Sequence, residues 1–324
     1  MKPLVLALIL AAPAAAIDYP TERNAAGEVI SLDLTGAWVS DAALDHLVTR
    51  YPKLERLTLA HTRISDAGFQ RLAKLQHVRE LDCYFAEFFT ADGLAHLAAW
   101  PRLERLNLRG TRVTSKAFEH IAKWKTLRDL DISYTQIDDA NLELLAELPL
   151  LETLALGGTP LTPAGLAQLR LLPNLKNLDL SGVQRVDSGE WGVALNPSAF
   201  AEISALAGLR RLNLAGATRT DAGADRPGLK ESVRARIEGS AALAALVHLE
   251  FLDISRLPID AAALEPLAKL PKLRELRAAL APSLGAAALP VLLRFPALRA
   301  VSVEGSLPPE AIAQLRAARP NLTR

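Results

Sequence analysis

Leucine and its apolar substitutes fall at the first, fourth and sixth positions of a short frame, LxxLxL, that returns along almost the whole chain. The copies are LERLTL (54–59), VRELDC (78–83), LERLNL (103–108), LRDLDI (127–132), LETLAL (151–156) and LKNLDL (175–180). They continue as LRRLNL (209–214), LEFLDI (249–254), LRELRA (273–278) and LRAVSV (298–303), with VISLDL (29–34) before them and a terminal LTR stub after. The spacing is 24 or 25 residues, except for 34 and 40 where two late units are lengthened. Alternation inside the frame predicts a short strand, since strand side chains have period two. Each frame is followed by a turn, a Ser, Thr or Asp able to cap a helix, a short apolar-periodic stretch such as DAGFQRLAKL, and often Pro. The pattern predicts strand, turn, short helix and turn, eleven times over.

One such unit cannot bury its own apolar side, whereas stacked units share a continuous core. Parallel strands sit about 4.8 Å apart and packed helices about 8–10 Å apart, so the stack has to curve with its strands inside. Eleven strands at that spacing make a sheet about 50 Å long. The position three residues before each frame holds Tyr51, Leu75, Trp100, Trp124, Leu148, Leu172, Leu206, Leu246, Leu270 and Phe295, a predicted core column. Arg319 takes that place in the last unit, where a polar end facing solvent is expected.

The frame and its Thr-containing continuation resemble the leucine-rich repeat family, in the short bacterial form of the ribonuclease-inhibitor-like type, over about 29–324. The resemblance implies an α/β fold: a right-handed leucine-rich-repeat solenoid, or horseshoe, with a parallel concave sheet and short helices on the convex side. It also implies that an exposed sheet face serves as the docking surface.

Outside the repeats, residues 1–16 (MKPLVLALILAAPAAA) combine one Lys, an apolar run and a small-residue end. This is the layout of a secretory signal peptide, too short to span a membrane, with cleavage expected near Ala16 and Ile17. Residues 17–28 form a lead-in. Removing Lys2 leaves 36 basic residues of the 37, against 36 acidic. That balance argues against nucleic acid or an anionic membrane as partner. A single cysteine, Cys83, excludes an intramolecular disulfide and suits a bacterial periplasm or medium. A monomer is expected.

No G-x-S-x-G, H-E-x-x-H, P-loop or paired-Cys spacing is present, so no enzyme, metal or cofactor is expected. His46, His96 and His120 share one repeat position and read as a solvated helix face rather than a metal ladder. Cys83 holds the inward position of Leu59, Leu108 and Leu156 and reads as core. Thr62, Thr111, Thr135 and Thr159 read as turn residues whose hydroxyls satisfy nearby backbone.

Candidate chemistry therefore lies on the surface. Two outward columns run along the strands. One contains Asp33, Thr58, Asp82, Asn107, Asp131, Asp179, Asn213 and Asp253; the other contains Arg56, Glu80, Arg105, Asp129, Arg211, Phe251 and Glu275. They read either as a solvated charge lattice or as a recognition surface. The insertions, about 181–200 and 215–239, both leave after a strand and before a helix, so they are expected side by side as a lip. Trp191 is a candidate anchor there, with Arg219, Arg226, Arg234 and Arg236 as charge contacts. The stretch DCYFAEFFT (82–90) splits on the frame: Cys83 and Phe89 fall in core columns, and Tyr84, Phe85 and Phe88 do not. The expected partner-binding set is Tyr84, Phe85, Phe88, Arg105, Arg109, Asp131, Tyr134, Trp191, Arg211, Arg219, Arg234 and Phe251. The function expected is non-enzymatic capture of a protein partner by an exported protein, through the concave face and the strand-end rim. The alternative is a cell-wall glycan or small ligand stacked on Tyr84, Phe85, Tyr134 and Trp191; an enzyme hidden in the inserted loops is the least favoured reading.

Overall fold

The computed structural model describes residues 19–182, 184–186, 189–193, 195–217, 238–281 and 283–323. Strands β1 (Thr21–Arg23) to β8 (Asn177–Asp179) follow in chain order, with β2 at Val29–Asp33, β3 at Arg56–Thr58 and β4 at Glu80–Asp82. Then come β5 (Arg105–Asn107), β6 (Asp129–Asp131) and β7 (Thr153–Ala155). β9 (Gln184–Val186) and β10 (Gly189–Trp191) form a separate antiparallel hairpin within the first insertion. β11 (Arg211–Asn213), β12 (Phe251–Asp253), β13 (Glu275–Arg277) and β14 (Ala300–Ser302) complete one 12-stranded sheet whose neighbours follow sequence order. Eleven of these strands pair in parallel and in register, so Leu32, Leu57, Leu81, Leu106, Leu130 and Leu154 stack as one buried column that runs on to Val301. The helices, such as Asp66–Leu72 and Ala91–Leu97, cover the other side of this core. This is the repeat architecture anticipated from the frame.

The two ends depart from expectation. The lead-in is not a simple approach segment: β1 pairs antiparallel with β2, which gives the sheet its twelfth strand and covers an edge that would otherwise offer unpaired backbone groups. Glu22 on β1 reaches Arg56 at 2.5 Å and ties the cap to the third strand. At the other end Val301 N–H donates to the Thr323 carbonyl (3.0 Å), so Thr323 pairs alongside β14. Arg319 does not simply face solvent. It is half-buried and donates from Nη2 to the carbonyls of Leu293 and Phe295, both at 2.6 Å, satisfying acceptors left over at the end of the helix Leu289–Leu292.

Successive helices are joined by carboxylates. Asp41 accepts the backbone N–H of Ser65 (2.9 Å) and its hydroxyl (2.5 Å), and Ser65 caps the helix Asp66–Leu72. Asp66 does the same for Thr90 (2.8 and 3.0 Å), and Asp139 for Thr162. A side chain at Gly68, Gly93 or Gly165 would collide with the oxygen of that incoming carboxylate, which explains glycine at the third helical position. Inside, Trp100, Trp124, Cys83 and Phe89 are buried as expected, and Phe89 packs on Phe69 with ring centroids 4.3 Å apart. The segment 1–16, the join at 17–18, and Arg219, Arg226, Arg234 and Arg236 lie outside the described residues, so the paired-loop lip does too.

Candidate interaction surface

Every strand of the stack ends in the same turn, and that turn decides which side chains face outward. Gly36, His61, Phe85, Gly110, Tyr134, Gly158, Gly182, Gly216, Arg256, Leu280 and Gly305 all have positive φ, between 50° and 90°. In most of these turns the N–H group extends the ladder into the next unit, as from His61 to the Tyr84 carbonyl (2.9 Å) and from Phe85 to the Arg109 carbonyl (2.8 Å). The following Thr is buried and its hydroxyl donates back three residues, from Thr62 to Leu59, Thr111 to Leu108 and Thr135 to Ile132, at 2.6–2.7 Å. Those hydroxyls are structural, as expected.

The outward Asp and Asn column also serves this turn. Asp33, Asp82, Asn107, Asp131, Asp179, Asn213 and Asp253 each accept, on Oδ1, the backbone N–H two residues ahead, at 2.7–3.0 Å. Such an arrangement substitutes a side-chain oxygen for a backbone acceptor. One oxygen per carboxylate is thereby committed to the fold, and on Asp179 the second also accepts, from the Asn213 amide at 2.9 Å.

Where the left-handed residue is large, its side chain lies across the next unit. Phe85 covers Gly110, and Tyr134 covers Gly158 and reaches Gly182. His61 and Phe85 meet in a stack at 5.8 Å, and Tyr84 packs edge-on against both at 5.3 and 4.7 Å. Glu87 is the additional residue of this loop. Ala86 fills the buried place of Thr62, so Phe88 falls opposite Arg63 and Phe89 opposite Ile64. Tyr84, Phe85 and Phe88 are exposed, Phe88 to 56%.

Trp38, which sequence reasoning passed over, is 88% exposed. The Arg63 guanidinium lies over its ring at 4.9 Å from the centroid and over the Phe88 ring at 5.5 Å. Trp38, Arg63 and Phe88 are spaced by 25 residues, so the repeat period itself was the signal that could have found them. With His61, Tyr84 and Phe85 they make an aromatic ledge along the strand-end rim of three consecutive units.

The concave face beside this ledge holds a groove of about 610 Å³ over β1 to β6. Its carboxylates are Glu22, Asp33, Glu80, Asp82, Asp129 and Asp131. Arg56 pairs with Glu22 and Arg105 with Glu80 at 3.2 Å. Desolvation pushes Asp82, Asp129 and Asp131 above the usual carboxylate range. Neighbouring negative charge adds to this, Asp131 and Asp33 acting on Asp82, Asp131 on Asp129, and Asp179 on Asp131. The groove is therefore net acidic.

The expected residues do not form one site. Tyr84, Phe85 and Phe88 lie on the ledge and Arg105 in the groove. Arg109 stacks over Tyr134 at 4.4 Å and stands 4.0 Å from Asp131, beside the ledge. Arg211 and Phe251 are far along the sheet on β11 and β12. Phe251 is corrected: it shares the outward column, yet it is buried, because Arg211 (4.0 Å) and Arg277 (5.1 Å) from the flanking strands lie over its ring. The backbone of Trp191 belongs to the hairpin, and its side chain lies outside the described residues, as do Arg219 and Arg234.

His46 and His96 are exposed on their helices, while His120 is half-buried and its imidazole is pushed below its ordinary range, first by desolvation and then by Lys123. Burial, with the Asp82 charge, raises the Cys83 thiol well above its ordinary value, which leaves it a packing residue. Among the described residues no three His, Cys, Asp or Glu side chains converge to hold a metal ion, and no helix is long and apolar enough to cross a membrane.

The family model described as Leucine Rich repeat matches residues 125–146, which include β6 and the turn after it. No curated protein matches the chain. Among solved structures, the chain is similar to an internalin (inlF) from Listeria monocytogenes, with a TM-score of 0.52 and 18% identity over 83% of this chain and 67% of that one. At that identity the similarity is one of fold. Frame, stacked strands, the repeat matched at 125–146 and the fold neighbour agree on one architecture: the chain folds as a leucine-rich-repeat solenoid.

Proposed function

We propose that this is a non-enzymatic, exported interaction protein that captures a protein partner with the rim ledge and the adjoining half of its concave face. The fold it shares with an internalin suggests an interaction scaffold, which agrees with this reading. The observation that carries it is the ledge: Trp38, Tyr84, Phe85 and Phe88 stand exposed together on one rim while the remaining large aromatic rings described here are buried or covered. Exposed Trp and Tyr with an Arg beside them are the residue types that anchor protein interfaces. A contiguous apolar surface on a folded chain is itself a mark of an interaction site.

The test is a photo-crosslinking amino acid placed at Phe88 or, as a control on a helix, at Gln70. A protein adduct that forms at Phe88 and not at Gln70 supports the reading. Equal adducts at both positions, or retention of the chain on insoluble wall glycan that survives replacement of Trp38 and Phe88 by Ser, would defeat it.

A further inference from the structure

The ledge contains a cation that no carboxylate among the described residues pairs with. Arg63 is exposed, and among the described residues its guanidinium makes no ion pair and donates no hydrogen bond; its contacts are the rings of Trp38 and Phe88. Neighbouring bases differ. Arg56 pairs with Glu22, Arg79 with Glu104 at 2.6 Å and Arg105 with Glu80. Asp41 borders the same depression of about 550 Å³ as Arg63. Both its oxygens are engaged by Ser65. Two rings therefore hold a planar five-donor fork in place with its donors unused. Stacked guanidinium groups are weakly hydrated and suited to bidentate contact with a carboxylate.

We infer that Arg63, held by Trp38 and Phe88, receives the carboxylate of an Asp or Glu side chain on the protein partner. This rests on the protein-binding reading above and names the partner's chemistry at one point. Charge complementarity selects a carboxylate. One guanidinium balances one carboxylate, whereas a phosphate dianion would leave excess negative charge beside Asp41. The flanking rings require an apolar residue next to the acid. The acidic groove beyond requires the partner segment to turn basic as it passes from the rim onto the sheet. The partner segment is thus bipolar, acidic and apolar at the ledge, basic over Asp33 and Asp82.

The test is selection from a random-peptide display library against the full chain, with binders compared on wild type, Arg63→Lys and Arg63→Ala. Circular dichroism confirms that each variant is folded. Enriched peptides are expected to carry Asp or Glu beside an apolar residue, with Lys or Arg further along. Arg63→Ala should weaken them by about 10- to 100-fold, the range of a charged hydrogen bond. Arg63→Lys should recover only part of that loss, because the fork is gone. Peptides that bind Arg63→Ala as tightly as wild type would overturn the Arg63 assignment and leave protein binding standing. A selection that yields no peptide, or Arg63-dependent retention of an acidic cell-wall polysaccharide in place of peptides, overturns both.

Discussion

Placing an alanine at Gly158 sets two separable costs against each other. Gly158 has φ +66°, and a Cβ built there meets the Tyr134 ring at 2.8 Å. Gly216 has the same φ at the same repeat position, with nothing among the described residues within 4 Å of the added carbon. Left-handed backbone costs an alanine about 1–2 kcal/mol, which is the whole expected penalty for Gly216→Ala. Gly158→Ala carries that penalty plus overpacking against a ring with little room to retreat, about 1–3 kcal/mol more. Urea unfolding followed by circular dichroism should therefore rank Gly158→Ala below Gly216→Ala by that second amount. In a Tyr134→Ala background the difference should close. Equal losses at the two glycines, or an unchanged difference without the ring, would refute the claim that Tyr134 is packed down onto the following turns.

Three further outcomes follow from the same structure. Phe89→Ala should cost about 3–5 kcal/mol because its ring is fully buried against Phe69, while Phe88→Ala should stay within about 1 kcal/mol in thermal or urea unfolding. Trp124→Phe should lose about 0.5–1.5 kcal/mol for the indole N–H donated to the Leu97 carbonyl (3.0 Å), beyond the loss in Trp100→Phe, whose buried Nε1 has no partner among the described residues. Asp131 has a folded-state carboxyl raised by desolvation, so the stability it contributes is present in acid and is lost as pH rises through that raised value. Asp131→Asn, which keeps the acceptor that Asn107 and Asn213 use in the same column, should stabilise at neutral pH and lose its advantage below the carboxyl's unfolded value. A pH series of urea midpoints reads this, and an Asn variant weaker at neutral pH would contradict it.

The elements set by the frame were legible before any coordinates, because each copy independently demands the same burial. Trp100, Trp124, Cys83 and Phe89 fell where the columns placed them. The cap strand β1 was not legible, since Thr21–Arg23 carries no frame and gains its pairing only from the edge of β2. Phe251 escaped for a different reason. Its column faces outward, and what buries it is the reach of two Arg side chains from other strands, set by side-chain conformation rather than by spacing. The Asp column looked like free surface charge because the N–H groups it satisfies lie two residues along its own chain, a contact that leaves no mark in residue type. Trp38 stood in line with Arg63 and Phe88, but three unlike side chains do not announce a column.

The carboxylate joints between helices bear on how such a chain can change its length. Asp41 belongs with Ser65 and Gly68, and Asp66 with Thr90 and Gly93, so each joint is written half in one unit and half in the next. Elsewhere the wording differs: Lys116 reaches back to Asp92 at 2.7 Å, and the Ser115 hydroxyl bonds Asp138 at 2.5 Å. A duplication or excision cut at the LxxLxL frame preserves every joint only when the units brought together carry matching halves. Units at this end of the chain are therefore not freely interchangeable tiles, and recombination within the gene is restricted to those neighbours whose carboxylate, hydroxyl and glycine still meet.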